Sequence, residues 1–137
     1  MKEQSTMMLN AEQKVLQLIN QYRASSNLPI LELDERISQL AREHSEAMAN
    51  SRIPFGNYRF KERIRKISMF LPNAKAAENV ASYRGNPVSE ELIFQFWLKS
   101  HKHRKSIQGD FHLTGIGVAK KGDEIYYFTQ IFIKKLE

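Results

Sequence analysis

The sequence predicts an α+β fold, a three-layer α-β-α sandwich with a small antiparallel sheet between helices. Three observations carry that expectation. Apolar residues recur at helical spacing along most of the chain as far as Trp97. The carboxyl end then switches to a period of two. Its last strand is apolar on both faces, so the sheet must be covered from both sides, whereas a sheet with one wet face would alternate apolar and polar.

Taken in order, Asn10 followed by Gln13 has the pattern of a capping box. Behind it Val15, Leu18, Ile19 and Tyr22 form one apolar stripe. Residues 1–9 are expected to be a flexible lead-in to a single domain over 10–137. Ser25, Ser26, Asn27 and Pro29 end the first helix. Asp34 is a second N-cap with Glu35 in the first turn, ahead of a face made by Ile37, Leu40, Ala41, His44 and Met48. A third, shorter helix follows from Phe60, Ile64 and Ile67, with Arg59, Lys61, Arg63, Arg65 and Lys66 largely on its other sides. Asn86-Pro87 starts a fourth, because proline suits the first helical position; its apolar face reads Ser89, Leu92, Ile93, Phe96 and Trp97.

Leu113 to Ala119 and Ile125 to Ile133 are strands joined by a hairpin over Lys120-Lys121-Gly122-Asp123-Glu124. In the second strand Ile125, Tyr127, Ile131 and Ile133 point one way, and Tyr126, Phe128 and Phe132 the other. Gly115 and Gly117 leave room for a close neighbour or a bulge in the first.

A chain of 137 residues with 42% hydrophobic content can bury an ordinary core without staples. It contains no run of about 20 apolar residues that would span a membrane, and its amino terminus lacks the apolar stretch of a secretory signal. Cysteine is absent, which excludes disulfides, thiolate metal sites and a cysteine nucleophile. Compartment is left open, since domains of this size are secreted with or without bridges. The net charge of +6 favours anionic partners such as nucleic acid, phospholipid or wall polymers. A solvated basic surface is the simpler reading of the same charge.

Three stretches look unlike filler: Ala77-Glu78-Asn79-Val80-Ala81, Trp97 to Arg104, and Thr114-Gly115-Ile116-Gly117-Val118. Glu78 lies among small and apolar residues, where a carboxylate needs a partner or water. His103 follows the fourth helix, where a neutral imidazole can bind a metal or move protons. Brought together by folding, the two would be ligands of a divalent site or an acid/base pair. No HExxH-type spacing links them, since they stand 25 positions apart.

In that order and spacing the blocks resemble the CAP superfamily, the cysteine-rich secretory, venom-antigen and pathogenesis-related proteins, in its bacterial SCP-like branch. The resemblance runs from Leu16-Gln17-Leu18-Ile19-Asn20-Gln21-Tyr22-Arg23, through Leu40 to Ala49, Pro54-Phe55-Gly56, the AENVA segment and W-x-x-S-x-x-H-R, to Phe128-Thr129-Gln130-Ile131-Phe132. It implies an α-β-α sandwich and a cleft lined by two histidines and one or two glutamates, sometimes holding a divalent metal. The motif glutamate falls on Glu78 and the histidine before arginine on His103. The other histidine falls on Asn57, the second glutamate on Ser100 and a motif glycine on Lys102.

An amide oxygen at Asn57 is a poor zinc ligand and a better calcium one, and a zinc site normally needs three protein ligands. Glu78 and His103 are therefore expected to face one another as the remnant of a metal site, holding zinc, calcium or magnesium only weakly and requiring no cofactor. Asn57, Ser100, Gln130 and His44 complete the expected cleft lining. His44 sits on an apolar stripe as a core or cleft-wall residue, and His101 and His112 are expected at the surface.

Three functions follow. The first is a non-enzymatic domain, exported as the resemblance implies, that binds a small apolar or anionic ligand, a lipid, or a cell-surface or wall component; cytoplasmic residence is the alternative. The second is a divalent-metal-dependent hydrolase using Glu78 and His103. The third is a salt-sensitive binder of anionic polymers through Lys99, Lys102, Arg104, Lys105 and the basic third helix. A nucleic-acid reader would interleave exposed aromatics with its charge, so nucleic acid is not the expected partner, and a monomer is expected. Phosphate loops and GxSxG elbows are missing, and Ser100 beside His103 has no orienting third residue.

Overall fold

A computed structural model describes residues 2–136. Helix α1 spans Lys2–Ser25, β1 Glu32–Leu33, α2 Glu35–Ala49 and α3 Phe60–Ser68. Strand β2 is Lys75–Arg84, followed by α4 at Glu90–Lys99, α5 at His101–Ile107, β3 at Leu113–Lys121 and β4 at Ile125–Lys134. The sheet order is β1-β3-β4-β2. The hairpin pairs β3 with β4, and β2 adds to β4 antiparallel along its whole length. The two-residue β1 pairs parallel with β3, so the sheet is mixed at one margin.

Alternation along β4 divides the core in two, as the two-faced pattern predicts. Tyr126, Phe128 and Phe132 pack with Val15 and Ile19 of α1, with Ile93, Phe94 and Trp97 of α4, and with Ile107 of α5. Ile131 and Ile133 pack with Ile37 and Ala41 of α2 and Ile67 of α3. Layers of α1/α4/α5, sheet and α2/α3 result. A Cβ at Gly115 would strike the backbone at Ile37 and Ser38, and one at Gly117 the backbone at Ala41 and Arg42. The missing side chains are what let α2 lie against β3.

Several local expectations change. Helix α1 begins at Lys2, so Asn10 lies inside it and caps nothing. Asp34 does cap α2, accepting from Arg36 N and Ile37 N. Helix α4 is capped by Ser89, not opened by Pro87. It buries Ile93, Phe94 and Trp97, leaving Leu92 and Phe96 more than half exposed. This helix is apolar nearly all round, so period alone selects no single face. His103 follows α4 as expected, in a separate short helix, α5.

Candidate functional site

Alternation along β2 sends Glu78 toward the α2/α3 layer and Asn79 toward the other. Glu78 is buried, and its carboxylate is engaged at both oxygens. Arg63 of α3 donates from Nε to Oε2 at 2.7 Å and from Nη2 to Oε1 at 2.6 Å. Asn57 Nδ2 donates to Oε1 at 3.0 Å. Arg63 also donates from Nη1 to the carbonyl of Tyr58, which ties the 51–59 loop to the pair. The bidentate fork supplies the compensation that a buried carboxylate requires.

Arg63 is the residue that sequence reasoning misplaced among the solvated sides of α3. A signal was present: it stands three positions after Phe60 and four before Ile67, on the helix's inner face.

His44 of α2 is buried beside this pair, its Nε2 2.7 Å from the carbonyl of Gly56. Burial, then the charge of Arg63, hold its pKa below the ordinary histidine value, against the Gly56 hydrogen bond and the charge of Glu78. Between α2, α3 and the loop opens a cleft of about 490 Å³, lined by His44, Arg52, Tyr58, Arg59, Arg63 and Lys66 among others. Its acids are Glu43 and Glu62. Arg59 faces Glu62 at 3.6 Å, and Arg63 is matched by Glu78. The side chains of Arg52 and Lys66 are exposed, and neither makes a hydrogen bond or ion pair with the described residues.

His103 is tied to the residue that follows Glu78 on β2. Asn79 Nδ2 donates to its carbonyl at 3.0 Å, and its ring sits 5.6 Å from that of Phe96. Burial, then Lys102, hold its pKa below the ordinary value. Its Nδ1 is buried without a partner among the described residues, as is Asn79 Oδ1. No hydrogen bond or ion pair joins His103 to Glu78 among the described residues.

Ser100 is half-buried at the α4–α5 junction, its carbonyl accepting from Arg104 N. Gln130 is fully buried in the sheet, donating from Nε2 to Thr114 Oγ1. Of the sequence-derived lining, Asn57 and Glu78 come together with His44 nearby, Gln130 faces the opposite side of the sheet, and Ser100 and His103 make no hydrogen bond or ion pair with this group among the described residues. His101 and His112 are exposed.

The donor set does not fit a divalent ion. A guanidinium already supplies the positive charge at the Glu78 carboxylate, and an amide shares one of its oxygens. No three of His, Cys, Asp and Glu gather as ligands among the described residues, short of what a zinc centre takes.

A family model described as CAP, the cysteine-rich secretory protein family, matches residues 16–132. The chain is 31% identical over 132 residues to the "Uncharacterized membrane protein YlbC" of Bacillus subtilis (strain 168), covering 91% of this chain and 35% of that protein. Identity to the "Uncharacterized protein YkwD" of the same organism is also 31% over 132 residues, covering 90% of this chain and 47% of that one. The chain thus spans less than half the length of either relative.

Among solved structures, an outer surface protein from Borrelia burgdorferi superimposes with a TM-score of 0.77 at 23% identity, over 93% of this chain and 94% of that one. An extracellular protein containing a SCP domain from Bacillus anthracis str. Ames gives 0.75 at 26%, over 93% and 41%. A cysteine-rich secretory protein from Staphylococcus aureus gives 0.74 at 19%, over 93% and 40%. These neighbours share the α-β-α sandwich.

Proposed function

The chain belongs to the CAP family, and from that membership we propose that it is a non-enzymatic, exported binding domain that takes a small anionic ligand in the cleft between α2 and α3. One observation carries the reading: Arg52 and Lys66, unpaired among the described residues, stand at a concave site whose wall includes Arg63, itself locked from behind by the buried Glu78. A carboxylate held by a guanidinium and an amide is a poor general base, because abstracting a proton would break charge-assisted bonds. Two such cations over a polar floor instead favour a carboxylate or phosphate group, with affinity that falls as salt rises. Export is supported by the extracellular and outer-surface descriptions of structural neighbours. A signal peptide in the upstream coding sequence, or its absence, tests that part.

The ligand reading is tested by thermal denaturation at low ionic strength with citrate, inorganic phosphate and acetate. The expected outcome is a concentration-dependent rise in thermal midpoint with citrate or phosphate, abolished in the Arg52→Ala/Lys66→Ala variant. Equal shifts in parent and variant, or none in either, overturn it. No metal is required on this reading. Zinc, calcium and magnesium should leave the midpoint unmoved, and a saturable rise with any of them would restore a metal-dependent function.

A further inference from the structure

Strand β2 is the outer strand of the sheet, and pairing with β4 uses only one of its margins. The free margin is identified by its partners. Val80's carbonyl accepts from Trp97 Nε1 at 3.1 Å, and Glu78's carbonyl from Asn57 Nδ2 at 3.4 Å. In an antiparallel pair both main-chain groups of alternate residues point the same way. Ser82 and Arg84 therefore direct their N–H and C=O groups outward as well, and both residues are exposed. Trp97 and Asn57 close the margin at its centre, whereas the Ser82–Arg84 end is left open.

A groove of about 330 Å³ runs along that open end, lined by Phe55, Ser82, Tyr83, Leu92, Ile93 and Phe96. Its walls come from both sides of the sheet. Phe55 belongs to the α2/α3 side, its ring 6.4 Å from that of Tyr127, while Leu92 and Phe96 project from α4. All three are more than half exposed, although large apolar side chains grouped at a sheet margin are what soluble proteins usually avoid. Lys99 continues the exposed Leu92–Phe96 stripe at helical spacing and makes no hydrogen bond or ion pair with the described residues.

We infer that this margin is a docking site for an extended peptide segment of another protein, which adds as a short strand against Ser82–Arg84. Main-chain bonds to Ser82 set its register. Alternate apolar side chains enter the groove on the Phe55 side and the Phe96 side, and an acidic residue reaches Lys99. Strand addition of this kind draws affinity from the backbone and selectivity from the flanking pockets.

The test is fluorescence anisotropy with a labelled peptide, acetyl-Ser-Val-Phe-Val-Glu-Glu-Ser. Ser82→Pro removes an outward donor along with a short groove-lining hydroxyl, a backbone change that outer strands tolerate, and Phe96→Ala removes an exposed wall. The peptide should bind saturably, and each variant should weaken it roughly tenfold or more, about 1.4 kcal/mol, while keeping the parent's thermal midpoint. N-methylation of the central residues should abolish binding. Lys99→Glu should weaken this peptide but not its glutamine analogue. Absence of saturable binding overturns the inference, as does equal binding of the N-methylated peptide or of both variants. A parent dimer in sedimentation that Ser82→Pro dissociates also overturns it, assigning the margin to a second copy of this chain. None of these outcomes depends on the α2/α3 cleft.

Discussion

Glu78 sits in an apolar strand, and Arg63 makes that placement tolerable. With side-chain exposures of 9% for Arg63 and 0% for Glu78, the charges are worth far more to one another than a surface pair. Removing one partner strands the other in the core, so Arg63→Ala should destabilise the fold by about 3–5 kcal/mol in urea denaturation. Replacing both at once, with Arg63→Met and Glu78→Leu, should recover most of that loss. A single variant that costs nothing would mean the pair is not buried in solution. Glu78 was legible in the sequence as a carboxylate needing a partner, but the partner was not. Arg63 lies 15 positions away on another element, and composition reads an arginine within a basic helix as solvated. Only its helical spacing to Phe60 and Ile67 placed it inside.

At the scale of elements, the approach of α2 to β3 positions His44 and the floor of the cleft. It depends on Gly115 and Gly117, whose added Cβ atoms would meet helix backbone and not yielding side-chain ends. Gly117→Ala should therefore destabilise by about 3 kcal/mol, the upper end of ordinary overpacking. Loss of the α2 cap in Asp34→Ala should cost about 1 kcal/mol. Chemical denaturation of the two variants checks the ordering, and a milder effect for Gly117→Ala would show that α2 can shift. The glycines, the Asp34 cap and the two-faced strand were all readable, because each is a local signal. The burial of Ile93 and Trp97 was readable too, but that of Phe94 over Leu92 and Phe96 was not, because apolar residues flank the Glu91–Gln95–Lys99 stripe of α4 on both sides and only its docking on β2 selects a face.

For the whole molecule, two histidines fix the sense of the pH dependence. His44 and His103 both titrate below their ordinary value, through burial first and then through Arg63 and Lys102 respectively. The unfolded chain accordingly takes up protons first as pH falls through about 6.5, so stability is full above that value and declines below it. Glu12, raised chiefly by burial, acts in the opposite sense, losing stability as pH rises above its ordinary range. The thermal midpoint should fall between about pH 7.5 and about pH 5.5, and His44→Gln should flatten that fall. An unchanged slope in the variant would remove His44 from the account. The layered fold was legible as a whole because periodicity reports burial. The cleft was not, because Arg52, Lys66 and Arg63 meet only when α3 and its preceding loop fold over α2. The most direct test is an amide NMR titration of the protein with citrate at low ionic strength. Saturable shifts confined to α2, the 51–59 loop and α3, and lost in Arg52→Ala/Lys66→Ala, are the predicted result. Shifts centred on His103 and Ser100, or an unperturbed spectrum, would contradict it.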